Sequence, residues 1–168
     1  MNIELSKKKL LDALEDLRKS IEFYDLAQNI DDEKISKIMY KVDFVISQRK
    51  SMIQSFEFCA ELFWKYLKKY LENVLGCLII NSSPKNIIKE SCQAKVISEV
   101  DSEVLLQMIK DRNFTSHIYK EEIAENVAYE IPKYYELMHK YISGLSLDIK
   151  KMMRDIDGVK YGREKLLE

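Results

Sequence analysis

Three side chains with distinct chemistry lie within eight residues of one another: Arg112, His117 and Tyr119. They belong to the stretch "DRNFTSHIYK" at 111–120, in a chain that has only two histidines. A guanidinium stays charged and grips a phosphate through two parallel hydrogen bonds. An imidazole gains or loses a proton near neutral pH. The polar side chains around them are Asn113, Thr115 and Ser116.

This pair of groups is a minimum set for cleaving a phosphodiester bond in RNA. Arg112 would hold the phosphate and stabilise the negative charge that builds on it. His117 would move the proton of the 2′-hydroxyl or of the leaving 5′-oxygen, and neither step requires a metal ion or a cofactor. One imidazole cannot conveniently act as acid and base in a single step. A two-fold homodimer that joins two copies is therefore expected to supply both.

Spacing alone leaves a second interpretation of the same residues. Arg112 near a helix C-terminus would complement the helix dipole, and His117 would satisfy carbonyl groups of a loop. A motif of two residues has a high false-positive rate. The elements that position the motif therefore have to be considered.

Apolar residues that recur every three to four positions predict helices over most of the chain. Composition agrees, because four glycines and two prolines leave little turn material for sheets. The predicted helical faces begin near Leu10, Ile35, Met52, Pro84, Asp101 or Ser102, and Glu121. The expected fold class is all-α, an up-and-down helical bundle of about five helices.

Local signals set the ends of several of these helices. Ser83 is expected to cap a helix that begins at the next residue, which is a proline. The following helix is expected to end near Arg112, and the last runs from about Glu121 to Gly144. The polar stretch "SQRKS" at 47–51 indicates either a break or the exposed start of the next helix.

The strongest helical pattern carries aromatic side chains that are expected in the core. They are Phe56, Phe58, Phe63 and Trp64. Glu57 and Glu61 lie one turn apart on the same helix and are candidates for an ion pair with Arg112 across the bundle. A metal role for these two carboxylates lacks a third ligand, so no metal site is expected.

Charge and length bound the function. Charged residues make up 33% of the chain and nearly cancel to −1, which argues against a general nucleic-acid coat protein. The longest apolar run, "VLGCLII" at 74–80, is too short to cross a bilayer, and no secretory signal is visible. Three cysteines without CxxC spacing suit buried, reduced thiols. We expect a soluble, cytoplasmic protein with one domain at 1–145 and a C-terminal tail at 146–168 that is helical or partly disordered.

Three stretches of the chain resemble the HEPN superfamily, and within it the nucleotidyltransferase substrate-binding branch related to HepT-like toxins. They are "FEFCAELFWKYLKKYLE" at 56–72, "SPKNIIKESCQAKVI" at 83–97 and "LLQMIKDRNFTSHIYKEEIAENVAYEI" at 105–131. Together they cover roughly residues 52–142. The third is the most specific, because it matches the family's Arg-x4-His-x-Tyr motif with Arg112, His117 and Tyr119 in place.

The resemblance implies an activity and partners. HEPN ribonucleases are helical dimers whose motifs face across a cleft, and the Arg and His of the motif cut RNA without metal. In HepT-like systems a minimal nucleotidyltransferase acts as the antitoxin and attaches AMP to the motif tyrosine, which here is Tyr119. Such an adduct, two residues from His117, would occupy the phosphate site and block it.

The first function expected is therefore a metal-independent endoribonuclease toxin that is neutralised by AMP transfer to Tyr119. The alternative is a non-catalytic subunit whose bundle docks a nucleotidyltransferase and whose polar residues hold a nucleotide or an acceptor substrate. A third hypothesis is a helical bundle that only oligomerises.

Overall fold

The computed structural model describes residues 2–31, 40–115 and 121–145. Within these residues there are five helices and no strand. They are α1 (Ile3–Asn29), α2 (Lys41–Asn73), α3 (Pro84–Gln93), α4 (Glu99–Thr115) and α5 (Glu121–Gly144). None of these five combines the length and the apolar composition of a bilayer-spanning helix. The all-α prediction is confirmed, and predictions that fall on 32–39, 116–120 and 146–168 lie outside the described residues.

Helix α2 is the central element, because each of the other four helices packs against it. Its buried apolar residues recur at helical spacing: Met52, Phe56, Cys59, Ala60, Phe63, Tyr66, Leu67, Tyr70 and Leu71. They join buried residues of the other helices in one continuous core. Each large apolar side chain buried in this way stabilises the fold by about 1.5–3 kcal/mol.

Side-chain contacts show the direction of each helix. Residue numbers rise along α1 as they fall along α2, because contacts join Ser6 to Lys69, Ala13 to Cys59, and Ser20 to Ser55. Helix α4 is likewise antiparallel to α5, since Asp101 contacts Lys140 and Asp111 contacts Tyr134. Helices α2 and α5 run parallel, since Arg49 contacts Glu125 and Phe56 stacks on Tyr134. The four long helices therefore form the up-and-down bundle that the sequence predicted.

Most of the predicted helix ends are confirmed. The hydroxyl of Ser83 accepts a hydrogen bond from the backbone N–H of Asn86 at 3.4 Å and caps α3. Helix α5 begins at Glu121 and ends at Gly144. Gly76, in the turn after α2, has a φ of +67° that favours glycine over residues with a side chain.

The start of α4 differs from the prediction. Asp101 or Ser102 was expected as its cap, but the helix begins at Glu99. The hydroxyl of Ser98 accepts a hydrogen bond from the backbone N–H of Asp101 at 3.2 Å. Several capping residues lie close together there, and local sequence does not decide between them. At its other end the helix extends to Thr115, about one turn beyond Arg112.

Two predictions about α2 are wrong. The stretch 47–51 is neither a break nor an exposed start, because it lies inside a continuous helix and Arg49 is buried. Phe58 is not a core residue, since 60% of it is exposed. Two positions along a helix correspond to a rotation of about 200°, so Phe58 faces away from the core that Phe56 enters. Trp64 is half-buried and packs against the core.

The cysteines of the described chain are free, as predicted, but they differ in burial. Cys59 is buried, whereas Cys77 and Cys92 are half-buried. Burial, together with the negative charge of Asp16, raises the pKa of the Cys59 thiol to about 12. A thiol with that pKa stays protonated and unreactive at neutral pH.

We expect Phe56→Ala to lower the free energy of unfolding by about 3–5 kcal/mol, because it opens a cavity in the core and removes the ring stacked on Tyr134. The matched control is Phe58→Ala, two positions away on the exposed face, which should change stability by less than about 0.5 kcal/mol. Urea unfolding followed by circular dichroism measures both. Equal losses in the two variants would contradict the burial pattern of α2.

Candidate functional site

The candidate site lies at the C-terminal end of α4, where the buried stripe of that helix meets polar residues. Leu105, Met108 and Ile109 form the stripe and are buried. Arg112 follows them at helical spacing, so its side chain lies on the same face and is directed at α2. Its charge also lies in the last turn of α4, where the helix dipole favours a cation.

Glu61 of α2 receives the guanidinium of Arg112. Nη2 of Arg112 lies 3.5 Å from Oε2 of Glu61, and Trp64 donates its indole N–H to the same oxygen at 3.0 Å. Nζ of Lys65 lies 2.7 Å from the other carboxylate oxygen. The ion pair between Arg112 and Glu61 that the sequence analysis considered is confirmed. Because donors from three residues converge on one carboxylate, its orientation is fixed, and it restricts the direction of Arg112.

The charge of Glu61 is stabilised by the same neighbours. Burial by itself raises the pKa of the carboxyl, but two effects outweigh it. They are the hydrogen bonds from Lys65 and Trp64 and the charges of Lys65 and Arg112, and the pKa falls below its ordinary value. The Arg112 side chain remains 34% exposed. Part of the guanidinium that Glu61 contacts through Nη2 therefore remains accessible to solvent.

Thr115 makes a second contact with α2. Its hydroxyl donates to Oε1 of Glu57 and lies 2.8 Å from the backbone oxygen of Arg112. Asn113 is exposed, and its Oδ1 accepts a hydrogen bond from Nη1 of Arg112 at 3.4 Å. Of the predicted site residues, the structure brings Arg112, Asn113 and Thr115 together at one helix end.

The other predicted site residues, Ser116, His117 and Tyr119, lie outside the described residues. The described chain resumes at Glu121, the first residue of α5. In the sequence these three residues lie between Thr115 and Glu121. The structure shows how Thr115 and Glu121 are each attached to α2.

The start of α5 is attached to α2 by Arg49, a residue that the sequence analysis missed. The Arg49 side chain is only 4% exposed, and it forms ion pairs with both Glu121 and Glu125. Nη1 lies 2.9 Å from Oε1 of Glu125, and Nη2 donates to Glu121. A signal was available, because Arg49 precedes Met52 and Phe56 by three and seven positions and so occupies the apolar stripe of α2.

A partly buried hydrogen bond supports the site from the core side. The hydroxyl of Tyr134 in α5 donates to Oδ2 of Asp111, the residue before Arg112. The ring of Tyr134 stacks on Phe56 with 5.6 Å between centroids. Burial, reinforced by the hydrogen bond and charge of Asp111, raises the pKa of Tyr134 well above its usual range. Tyr134 therefore remains a donor, and it joins α5 to the last turns of α4.

The described part of the site thus offers the guanidinium of Arg112, which Glu61 of α2 holds at the C-terminal end of α4. Its neighbours are carboxylates and hydroxyls, and no group of three or more His, Cys, Asp and Glu residues within the described ranges could hold a metal ion. A fixed guanidinium at a helix end is suited to binding a phosphate. Chemistry beyond binding requires a group that transfers protons, and the sequence analysis predicted His117 for that role.

Comparison with known protein families is consistent with this arrangement. A family model described as "Nucleotidyltransferase substrate binding protein like" matches residues 6–146. The chain belongs to this HEPN-like family. The three stretches that carry the resemblance cover roughly 52–142, and the family model extends the match through α1.

Two solved structures have the same fold. One is a protein from Thermus thermophilus, which is 27% identical and has a TM-score of 0.55 over 76% of this chain and 96% of that chain. The other is a tri-AMPylated Shewanella oneidensis HEPN toxin in complex with its MNT antitoxin. It is 17% identical and has a TM-score of 0.55 over 85% of this chain and 96% of that chain. The comparison with curated proteins gave no match.

We expect the pKa of Glu61, followed by carbon-13 NMR, to lie below that of an ordinary glutamate and to rise in Lys65→Gln and in Arg112→Gln. Since the folded-state pKa is the lower one, the stabilisation by this carboxylate is complete above the unfolded-state pKa. It is lost as the pH falls through the folded-state value. The control is Lys68→Gln, because Lys68 pairs with Glu72 and not with Glu61. An unchanged pKa in Arg112→Gln and Lys65→Gln would contradict the charge contacts described here.

Proposed function

We propose that the chain is the toxin of a HEPN/minimal-nucleotidyltransferase pair, that it cuts RNA without a metal ion, and that AMP transfer to Tyr119 neutralises it. Three facts support the proposal. The chain belongs to the HEPN-like family. Its fold is shared with a HEPN toxin that was captured with its antitoxin. The motif residues Arg112, His117 and Tyr119 occur in the order and spacing of the family's Arg-x4-His-x-Tyr motif, and Arg112 lies in the last turn of α4.

In the proposed reaction Arg112 binds the phosphate of the bond that is cut. His117 removes the proton of the adjacent 2′-hydroxyl, and the resulting oxygen attacks phosphorus. The bond between phosphorus and the 5′-oxygen breaks, and this oxygen receives a proton from a second imidazole. The products are a 2′,3′-cyclic phosphate and a 5′-hydroxyl. Because one chain has one motif histidine, we propose that a second copy of the chain supplies the other.

The observation that carries the proposal is the position of Arg112. An ion pair with Glu61 would by itself also suit a structural arginine. Here, however, the pair lies at the last turn of α4, Arg112 precedes the motif histidine by five residues, and a third of the arginine side chain is exposed. A charged group that is held but accessible is what transition-state stabilisation requires.

The second candidate function is a non-catalytic subunit that presents a nucleotide or an acceptor to a nucleotidyltransferase. The description of the family as nucleotidyltransferase substrate-binding favours it. The carboxylates of Glu57 and Glu61 beside Arg112 also favour it, because they reduce the net positive charge that an RNA-binding surface needs. The two candidates differ in whether RNA is cleaved.

We propose further that residues 1–145 act as one domain. Helix α1 packs on both α2 and α5, so removing it would expose core residues of two other helices. The tail at 146–168 would then be dispensable for folding.

We expect the isolated protein to cleave single-stranded RNA in the presence of a metal chelator, leaving cyclic phosphate ends. His117→Ala should lower the rate by about 100-fold or more, since removal of a general acid or base has effects of that size. The matched control is His139→Ala, because His139 is the only other histidine and lies against Tyr135 in α5. RNA that is never cut, or cut equally by both variants, would favour the non-catalytic subunit.

We expect the partner nucleotidyltransferase and ATP to add AMP to this protein at Tyr119, because Tyr119 follows His117 by two residues in the sequence and an adduct there would block the proposed phosphate site. Mass spectrometry of the intact protein and of its peptides measures the gain. Tyr119→Phe should abolish it, and Tyr129→Phe should not, although Tyr129 is 83% exposed on α5. Binding of the partner with no mass gain would argue for a scaffold.

A further inference from the structure

Helix α2 holds the two helix ends that bound the motif, and it does so with three charged residues. Glu61 contacts Arg112, Glu57 contacts Thr115, and Arg49 contacts Glu121. These three residues of α2 follow one another toward its N-terminus, and their partners follow one another in the same order from α4 to α5. Arg49 and Glu57 are separated by eight residues, which corresponds to about 12 Å along a helix. The chain between α4 and α5 is therefore attached at both ends to one rigid helix.

Arg49 is the unusual member of this set. Its guanidinium is buried at the N-terminal end of α5, where the helix dipole disfavours a positive charge. Glu121 and Glu125 compensate for this placement, and their side chains are 56% and 61% exposed while they shield the guanidinium. A hydrophobic residue in the apolar stripe of α2 would fill this position without any need for partners. The ion pairs instead specify where the first turn of α5 lies.

We propose that Arg49 is a positioning residue for the motif, because it fixes the first turn of α5 against the same helix that fixes Arg112. This inference rests on the proposed function. Arg49 does not touch the substrate. It acts through Glu121, which follows Tyr119 by two residues, so its effect is on the geometry of the motif. By the same reasoning Glu121 matters more to the motif than Glu125, which lies one turn further into α5.

The first test compares Arg49→Met with a matched exposed ion pair. Methionine retains a flexible, unbranched side chain that suits the apolar stripe, and it removes the charge and the hydrogen-bond donors of Arg49. Arg18 is the control, because it also binds two glutamates, Glu15 and Glu22, but on the exposed face of α1. We expect kcat for RNA cleavage to fall about 10- to 100-fold in Arg49→Met with little change in KM, since small displacements of reacting groups have effects of this size. Arg18→Met should retain the rate, and Arg49→Lys should restore part of it.

The second test does not depend on cleavage. The chain has two histidines, so ring NMR signals report on His117 with His139 as an internal reference. In Arg49→Met and in Glu121→Gln the His117 signals should shift, while those of His139 stay in place. Glu125→Gln should produce the smaller change. This readout separates the failure of the positioning inference from the failure of the ribonuclease proposal.

Each result of these two tests either supports or overturns the inference. Shifted His117 signals in a folded Arg49→Met protein support it, whether or not RNA is cleaved. Unchanged His117 signals and an unchanged kcat in folded protein overturn it and leave Arg49 a purely structural residue. If Arg49→Met unfolds, Glu121→Gln decides, because Arg49 then keeps its partner Glu125. Unchanged His117 signals in that variant also overturn the inference.

Discussion

An arginine at the end of a helix can serve a phosphate only if its side chain is held in place, and here Glu61 holds it. The restraint is effective because Glu61 is itself fixed by Trp64 and Lys65 of the same helix. The carboxylate of Glu61 also partly neutralises the charge of Arg112 beside the proposed phosphate site. Since both groups remain partly exposed, the compensation is incomplete, and a substrate phosphate can compete for the guanidinium.

The packed core explains why these polar contacts can keep a defined geometry. Phe56, Phe63 and their neighbours fix α2 against every other helix, so the charged residues of α2 act from a rigid element. The hydrogen bond from Tyr134 to Asp111 then joins α5 to α4 at the residue before Arg112. Sites that are built on packed helices hold their geometry better than sites on loops.

Much of this arrangement could be predicted from local sequence. The cap at Ser83 and the last helix from Glu121 to Gly144 follow from turn chemistry and the helical period, and the same period places Arg112 near the end of a helix. Each of these signals lies within a few residues. The burial of Phe58 was misjudged because aromatic residues at 56, 58, 63 and 64 were assigned to the core together, without separating the faces of the helix. Because a helix turns by about 100° per residue, a residue two positions after the buried Phe56 lies on the exposed side of the helix.

The role of Arg49 could not be found in the same way. Its partners lie 72 and 76 residues away in sequence, so no local pattern pairs them. A charged residue in a polar stretch is usually exposed, and only its register with Met52 and Phe56 indicates burial. The ion pair between Glu61 and Arg112 was easier to anticipate, because the helical pattern placed both residues on predicted helices of one bundle.

The central claim is that the guanidinium of Arg112 and the imidazole of His117 meet at one phosphate. Titration of the protein with adenosine 3′-monophosphate, followed by the ring NMR signals of its two histidines, tests this directly. A phosphate between the two groups should shift the His117 signals and raise the pKa of that ring, leave His139 unchanged, and lose its effect in Arg112→Gln. A His117 response that is absent in the unaltered protein, or equally strong in Arg112→Gln, would contradict the claim.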